Sequence, residues 1–133
     1  MLFNQEWARS ASNRVSVVLR KAAELLETYG HVKFVRKDRD GRMCLLGALQ
    51  EAQGLDENYR PNRARDAQLT YEAAEAICKT LNLSALTDHY NIEGDYRGAA
   101  ATWNNRHDVS AQDVIDVMRK TADRVEETEM VSA

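Results

Sequence analysis

Proline occurs once in this 133-residue chain, cysteine twice and glycine six times. The lone proline, Pro61, ends any helix that precedes it. The two cysteines, Cys44 and Cys78, stand among apolar neighbours on different predicted helices, where buried free thiols are the expectation. They are too few, and too isolated from histidines, to make a zinc site, and no metal or cofactor is expected. No apolar run approaches the roughly 20 residues that a membrane span requires. Residues 1–7 lack a basic region followed by an apolar stretch, so they do not read as a signal peptide, and a cytoplasmic location is expected. Internal repeats, low-complexity tracts and long linkers are all missing. The expectation is therefore a single helical domain over residues 1–133, fraying over 1–11 and 127–133.

What is present is a soluble-globular composition, 44% hydrophobic and 29% charged, with a formal net charge of -3. That balance argues against a dedicated phosphate-backbone binder, because such affinity comes mainly from clustered Lys and Arg. The charge is nevertheless segregated. Lys33, Arg36, Lys37, Arg39 and Arg42 gather in one connecting segment, and Arg60, Arg63 and Arg65 in another. The last helix carries Asp113, Asp116, Asp123, Glu126, Glu127 and Glu129. Acidic and basic regions of this kind pair within a fold or across a self-association contact more often than they mark a nucleic-acid surface.

Hydrophobic spacing gives the elements. Val15, Val18, Leu19, Ala22, Leu25, Leu26 and Tyr29 recur at three- and four-residue steps, predicting a helix over 13–29, capped at Ser12 or Asn13 and stopped by Gly30. Residues 31–36 alternate polar and apolar and read as a short extended arm, with no partner strand to make a sheet; 38–41 read as a turn. A second helix is expected over 43–53, with Gly47 inside it to admit close approach of another backbone. A third spans 63–81 and ends at Asn82. A short helical turn is expected over 83–90, then an irregular stretch in which 97–103 can wind into another short helix. The last helix opens at Ser110, with Asp113 completing a variant capping box. The fold class is mostly α: a bundle of about four main helices, with a short extended arm and irregular loops.

Two segments join turn chemistry to buried-looking residues. One runs from Asp38 through Cys44 to Leu49; the other is Trp103, Asn104, Asn105, Arg106, His107 and Asp108. Cys44, at a helix start where the macrodipole lowers a thiol pKa, is the nucleophile candidate, with His31, His89 or His107 as base and Asn104 or Asp108 to orient it. Against this stands the apolar run around Cys44, in which cysteine behaves as a small core residue. A ligand pocket between Cys44 and the 103–108 loop, drawing on Trp103, Asn104, Asn105 and Asp108, is the other chemical reading; structurally, Trp103 caps the core and the asparagines bond the loop backbone.

The order of these motifs, Cys44-x-x-Gly47-Ala48-Leu49 followed by Trp103-Asn104-Asn105 and a capped helix, resembles a family of small uncharacterised domains from actinobacteria and their phages. That family has a Trp-Asn-Asp loop and a helix opening in Thr/Ser-x-x-Glu-Val; here Asn105 and Asp113 replace the acid and the glutamate. The resemblance implies a fold and a phage-encoded origin, but no activity. The function expected is a small non-enzymatic protein-binding domain, docking on a host protein or on itself, with a homodimer as one form. Its contact surfaces are the basic arm (Lys33, Arg36, Lys37, Arg39, Arg42) and the acidic face of the last helix. A cysteine-dependent enzyme or small-ligand binder is the alternative, and a weak nucleic-acid binder the third.

Overall fold

A computed structural model describes residues 2–54, 64–85 and 95–132, with side chains over 14–54, 68–85 and 95–128. Five helices and no strand occur among these residues: α1 (Leu2–Tyr29), α2 (Leu45–Ala52), α3 (Ala64–Leu81), α4 (Tyr96–Asn104) and α5 (Ala111–Ser132). The mostly α architecture stands, with one helix more than four. None of the helices is long and apolar enough to cross a membrane. The expected 55–62 connection with Pro61 and Arg60, the Arg63 and Arg65 side chains, and the turn over 86–90 with His89 lie outside the described residues.

Local chemistry sets most of the helix ends. Gly30, at φ 100°, donates its N–H to Leu26 O (3.0 Å) and closes α1. Asn82 sits at φ 61° after α3, where Leu83 N–H reaches back to Cys78 O (2.8 Å), the Schellman pattern. Ser110 and Asp113 exchange side-chain bonds across the start of α5 (2.9 and 3.1 Å), so the aspartate does the work of a capping-box glutamate. α1 begins at Leu2, which places Ser12 and Asn13 inside it rather than at a cap. Helix-tolerant residues with no glycine or proline precede position 12, so nothing there stops the winding. α5 continues to Ser132.

The core is the meeting of these helices. Leu19, Leu45, Leu49, Ile77, Val114 and Met118 are almost wholly buried at its centre. α1 and α5 pack most extensively and frame one side; α2 and α3 fill the other, and α4 closes the end. Asp95 caps α4 by accepting from Arg97 N–H (2.8 Å), while the Arg97 guanidinium lies 5.8 Å from the Tyr71 ring centroid. Tyr71 in turn meets Tyr96 edge-on at 6.1 Å, tying α3 to α4.

The 31–37 arm departs from the extended conformation expected of it. It bends over 33–36, and only isolated bridges join His31 and Lys37 to Met43. With no strand to pair against, the arm satisfies its backbone on the chain entering α2: Val32 N–H to Met43 O, Met43 N–H to Gly30 O and Cys44 N–H to Arg36 O, at 3.0 to 3.1 Å. Gly47 makes this possible. A Cβ there would stand 2.1 Å from Arg36 O, so the arm lies against α2 where the chain has no side chain.

Candidate functional site

The arm and the α4–α5 corner are joined by two adjacent asparagines. Asn104, at the last position of α4 and 1% exposed, accepts from Leu45 N–H (3.1 Å) and from His31 Nε2 (2.6 Å) through Oδ1. The backbone donor fixes Oδ1 as an acceptor, so the imidazole presents a protonated Nε2 to it. Its Nδ2 donates to Val32 O (3.4 Å) and to Asn105 Oδ1 (3.1 Å). That gives the buried amide four hydrogen bonds, its full capacity. Asn105 Oδ1 also accepts from Phe34 N–H (2.8 Å), and Lys33 Nζ donates to the Arg106 carbonyl. The segments around Cys44 and Trp103 therefore do meet, with Asn104 as the junction.

At the apex held by these bonds, Phe34 adopts φ 72° and Val35 follows; they are 78% and 49% exposed. A bulky residue in the left-handed region is costly, of order 1–3 kcal/mol, and persists only where its surroundings over-determine it. Here the Asn105 side chain, the Met43 pairing and Gly47 supply that constraint. Phe34 thus leaves the extended alternation that the sequence suggests for 31–36. The available signal was the absence of any partner strand, which left two apolar side chains with nothing to cover them.

Cys44 is the N-cap of α2, 8% exposed, and its Sγ accepts from Gly47 N–H at 3.3 Å, as a serine oxygen would. Burial pushes its thiol above the ordinary range, outweighing the α2 amides and Arg36, which act in the opposite direction. The expected lowering by the macrodipole is thus reversed. Asn104 has no valence left to orient His107, which sits on the exposed turn after α4. The two candidate pocket walls also part company. Trp103 and Asp108 line a cavity of about 400 Å³ between the ends of α3, α4 and α5, whereas Cys44, Asn104 and Asn105 do not border it.

The basic arm is partly neutralised internally. Arg42 Nε meets Asp38 at 2.6 Å, Lys37 meets Glu51 at 3.5 Å, and Arg36 and Arg39 are exposed. The acidic helix pairs with α1 rather than with the arm: Arg20 reaches Asp123 and Glu126 at 2.7 Å each, and Arg119 reaches Glu27. Among the described residues no group of three or more His, Cys, Asp or Glu side chains is placed to hold a metal ion.

No curated protein and no solved structure matches the chain. A family model does match, over residues 10–124, most of the sequence, and the protein belongs to that family, DUF6197, a family of unknown function.

Proposed function

We propose that this is a non-enzymatic protein-docking domain whose contact element is the 33–37 loop. Phe34 serves as its apolar anchor, and Lys33, Arg36, Lys37, Arg39 and Arg42 supply a surrounding positive field. The observation that carries this reading is a phenylalanine 78% exposed in a left-handed backbone that neighbouring groups hold in place. A strained backbone held in place beneath a surface aromatic has no role in the core, and that backbone loses little further freedom on binding. The complementary partner surface offers an apolar pocket with acidic residues at its rim, where the arm's cations hasten encounter and fix orientation. The motif order supports extending the reading to a phage-encoded protein acting on a host protein or on itself, and the lack of a signal-peptide pattern supports a cytoplasmic setting.

Affinity capture with the wild-type chain, Phe34→Gly and an Arg36/Lys37/Arg39 charge-reversal variant tests it, followed by reconstitution of any retained protein with the pure chain. The expected result is a partner bound by the wild type and lost by both variants. A wild-type chain that stays monomeric and retains no partner, or one whose partner binds both variants equally, overturns the proposal.

A further inference from the structure

We infer that the partner is a second copy of this chain, whose Phe34 enters the cavity lined by Trp103. This rests on the reading of the 33–37 loop as a docking element and goes beyond it by naming the occupant.

The protein carries both halves of such a contact. The projecting half is Phe34 with Val35, exposed and held by Asn105. The receiving half is the cavity of about 400 Å³, whose apolar wall comes from Leu81, Trp103, Val109 and Val117. The site is an open depression, and its volume exceeds the roughly 150 Å³ that holds benzene in an enclosed cavity. An aromatic residue in the lining also favours an aromatic guest through edge-to-face or offset contact.

Charge points the same way. The cavity is bordered by Asp108, Asp113 and Asp116 against Arg106 and Lys120. Arg106 and Asp108 neutralise each other at 2.7 Å, which leaves the rim negative. The incoming loop stays positive after its internal pairs are counted, with five cations over 33–42 against Asp38, Asp40 and the Glu51 that meets Lys37. A basic loop thus approaches an acidic rim, with an aromatic ring entering a cavity that Trp103 helps to line.

Placement favours closure into a pair. Phe34 N–H is bonded to Asn105, and Lys33 is bonded to the carbonyl of Arg106, itself on the cavity rim. Projection and cavity are therefore neighbours on one side of the molecule. A two-fold axis passing between them lets each copy give its Phe34 and receive the other's, an isologous contact that ends at two chains.

The test places a benzophenone-bearing phenylalanine at position 34 of the purified full chain and irradiates an equal mixture of isotopically light and heavy protein. The expected product is a mixed light–heavy dimer, cross-linked to the Trp103–Val109 or Asp113–Lys120 stretch. Phe34→Ala, at an exposed position that leaves folding intact, should weaken self-association by about thirtyfold in a light-scattering concentration series, the loss typical of an interface anchor. Cross-links to a different face of the second copy, or a dimer indifferent to Phe34→Ala, overturn the inference. A pure chain that is monomeric while position 34 cross-links to another protein in lysate overturns it too, yet leaves the docking function standing. Absence of any cross-link in both settings removes both.

Discussion

Phe34 and Gly47 show how a strained arm and a helix glycine combine across a sequence gap, with Arg36 O lying against Gly47. The left-handed backbone at Phe34 costs of order 1–3 kcal/mol, and glycine adopts it without steric penalty at a loss of about 0.5–1 kcal/mol in chain entropy. Phe34→Gly should therefore raise stability by about 1 kcal/mol, read as a higher urea midpoint at unchanged slope, while abolishing partner binding. A lower midpoint would show that Phe34 belongs to the packing after all. Gly47 predicts the opposite sign. Alanine improves helix propensity by about 1 kcal/mol, but its Cβ would stand 2.1 Å from Arg36 O and 2.9 Å from the carbon behind it. The arm must move, and the Cys44 N–H to Arg36 O bond goes with it, for a net loss of roughly 2 kcal/mol. Equal or greater stability in Gly47→Ala would refute the close approach. Gly47's use was legible in the sequence, since a glycine inside a helix needs a neighbour to explain it. The identity of that neighbour was not.

Among elements, legibility followed the range of the interactions involved. Caps at Gly30, Asn82 and Ser110–Asp113 are built from groups three to five positions apart, and the sequence displays them directly. α4 was harder to read, because Gly98 inside it weakens propensity and its burial depends on α3 and the Tyr71–Tyr96 contact. The Asn104 junction was out of reach altogether: its partners His31, Val32 and Leu45 lie 59 to 73 positions away. For Cys44 the reading as a small core residue holds, and the lowering of its thiol by the macrodipole fails, for a related reason. Its place at a helix start is local, but the burial that raises its pKa is set by the whole fold. Asn104→Ala tests the junction. It strips the acceptor from Leu45 N–H and His31 Nε2 and the donor from Val32 O, and each unsatisfied buried group costs about 1–3 kcal/mol. A loss of about 3 kcal/mol is expected, and the Leu45 and Phe34 amides should exchange faster by more than the global change accounts for. Uniform acceleration at all amides would mean that Asn104 supports the fold without specifically anchoring the arm.

At the scale of the whole molecule, the segregated charges resolve differently on the two sides of the bundle. Part of the acidic face of α5 is spent across the α1 seam, where Arg20 holds Asp123 and Glu126, and Arg119 holds Glu27. That removes Asp123 and Glu126 from the surface expected to meet a partner and leaves Asp113 and Asp116 at the cavity rim. The seam has its own signature. Hydrogen bonds from Arg20 hold the Glu126 carboxyl below the usual range, and Arg119 does the same to Glu27. Carboxyls with folded-state pKa values below their unfolded value of about 4.3 contribute stability that is complete above that pH and is lost as the pH falls through the lower folded values. Stability should therefore decline from about pH 5 downward. Arg20→Met, which keeps an unbranched apolar stem, should flatten the part of that decline due to Glu126. Because Arg20 is partly exposed, the amount involved is at most about 1 kcal/mol, and molar salt should reduce it in the wild type more than in the variant. Parallel pH profiles for the two proteins would mean that the Arg20 pairs add nothing measurable to the seam. Asp123 and Glu126 would then be energetically available to a partner, as a second acidic surface beside the rim formed by Asp113 and Asp116.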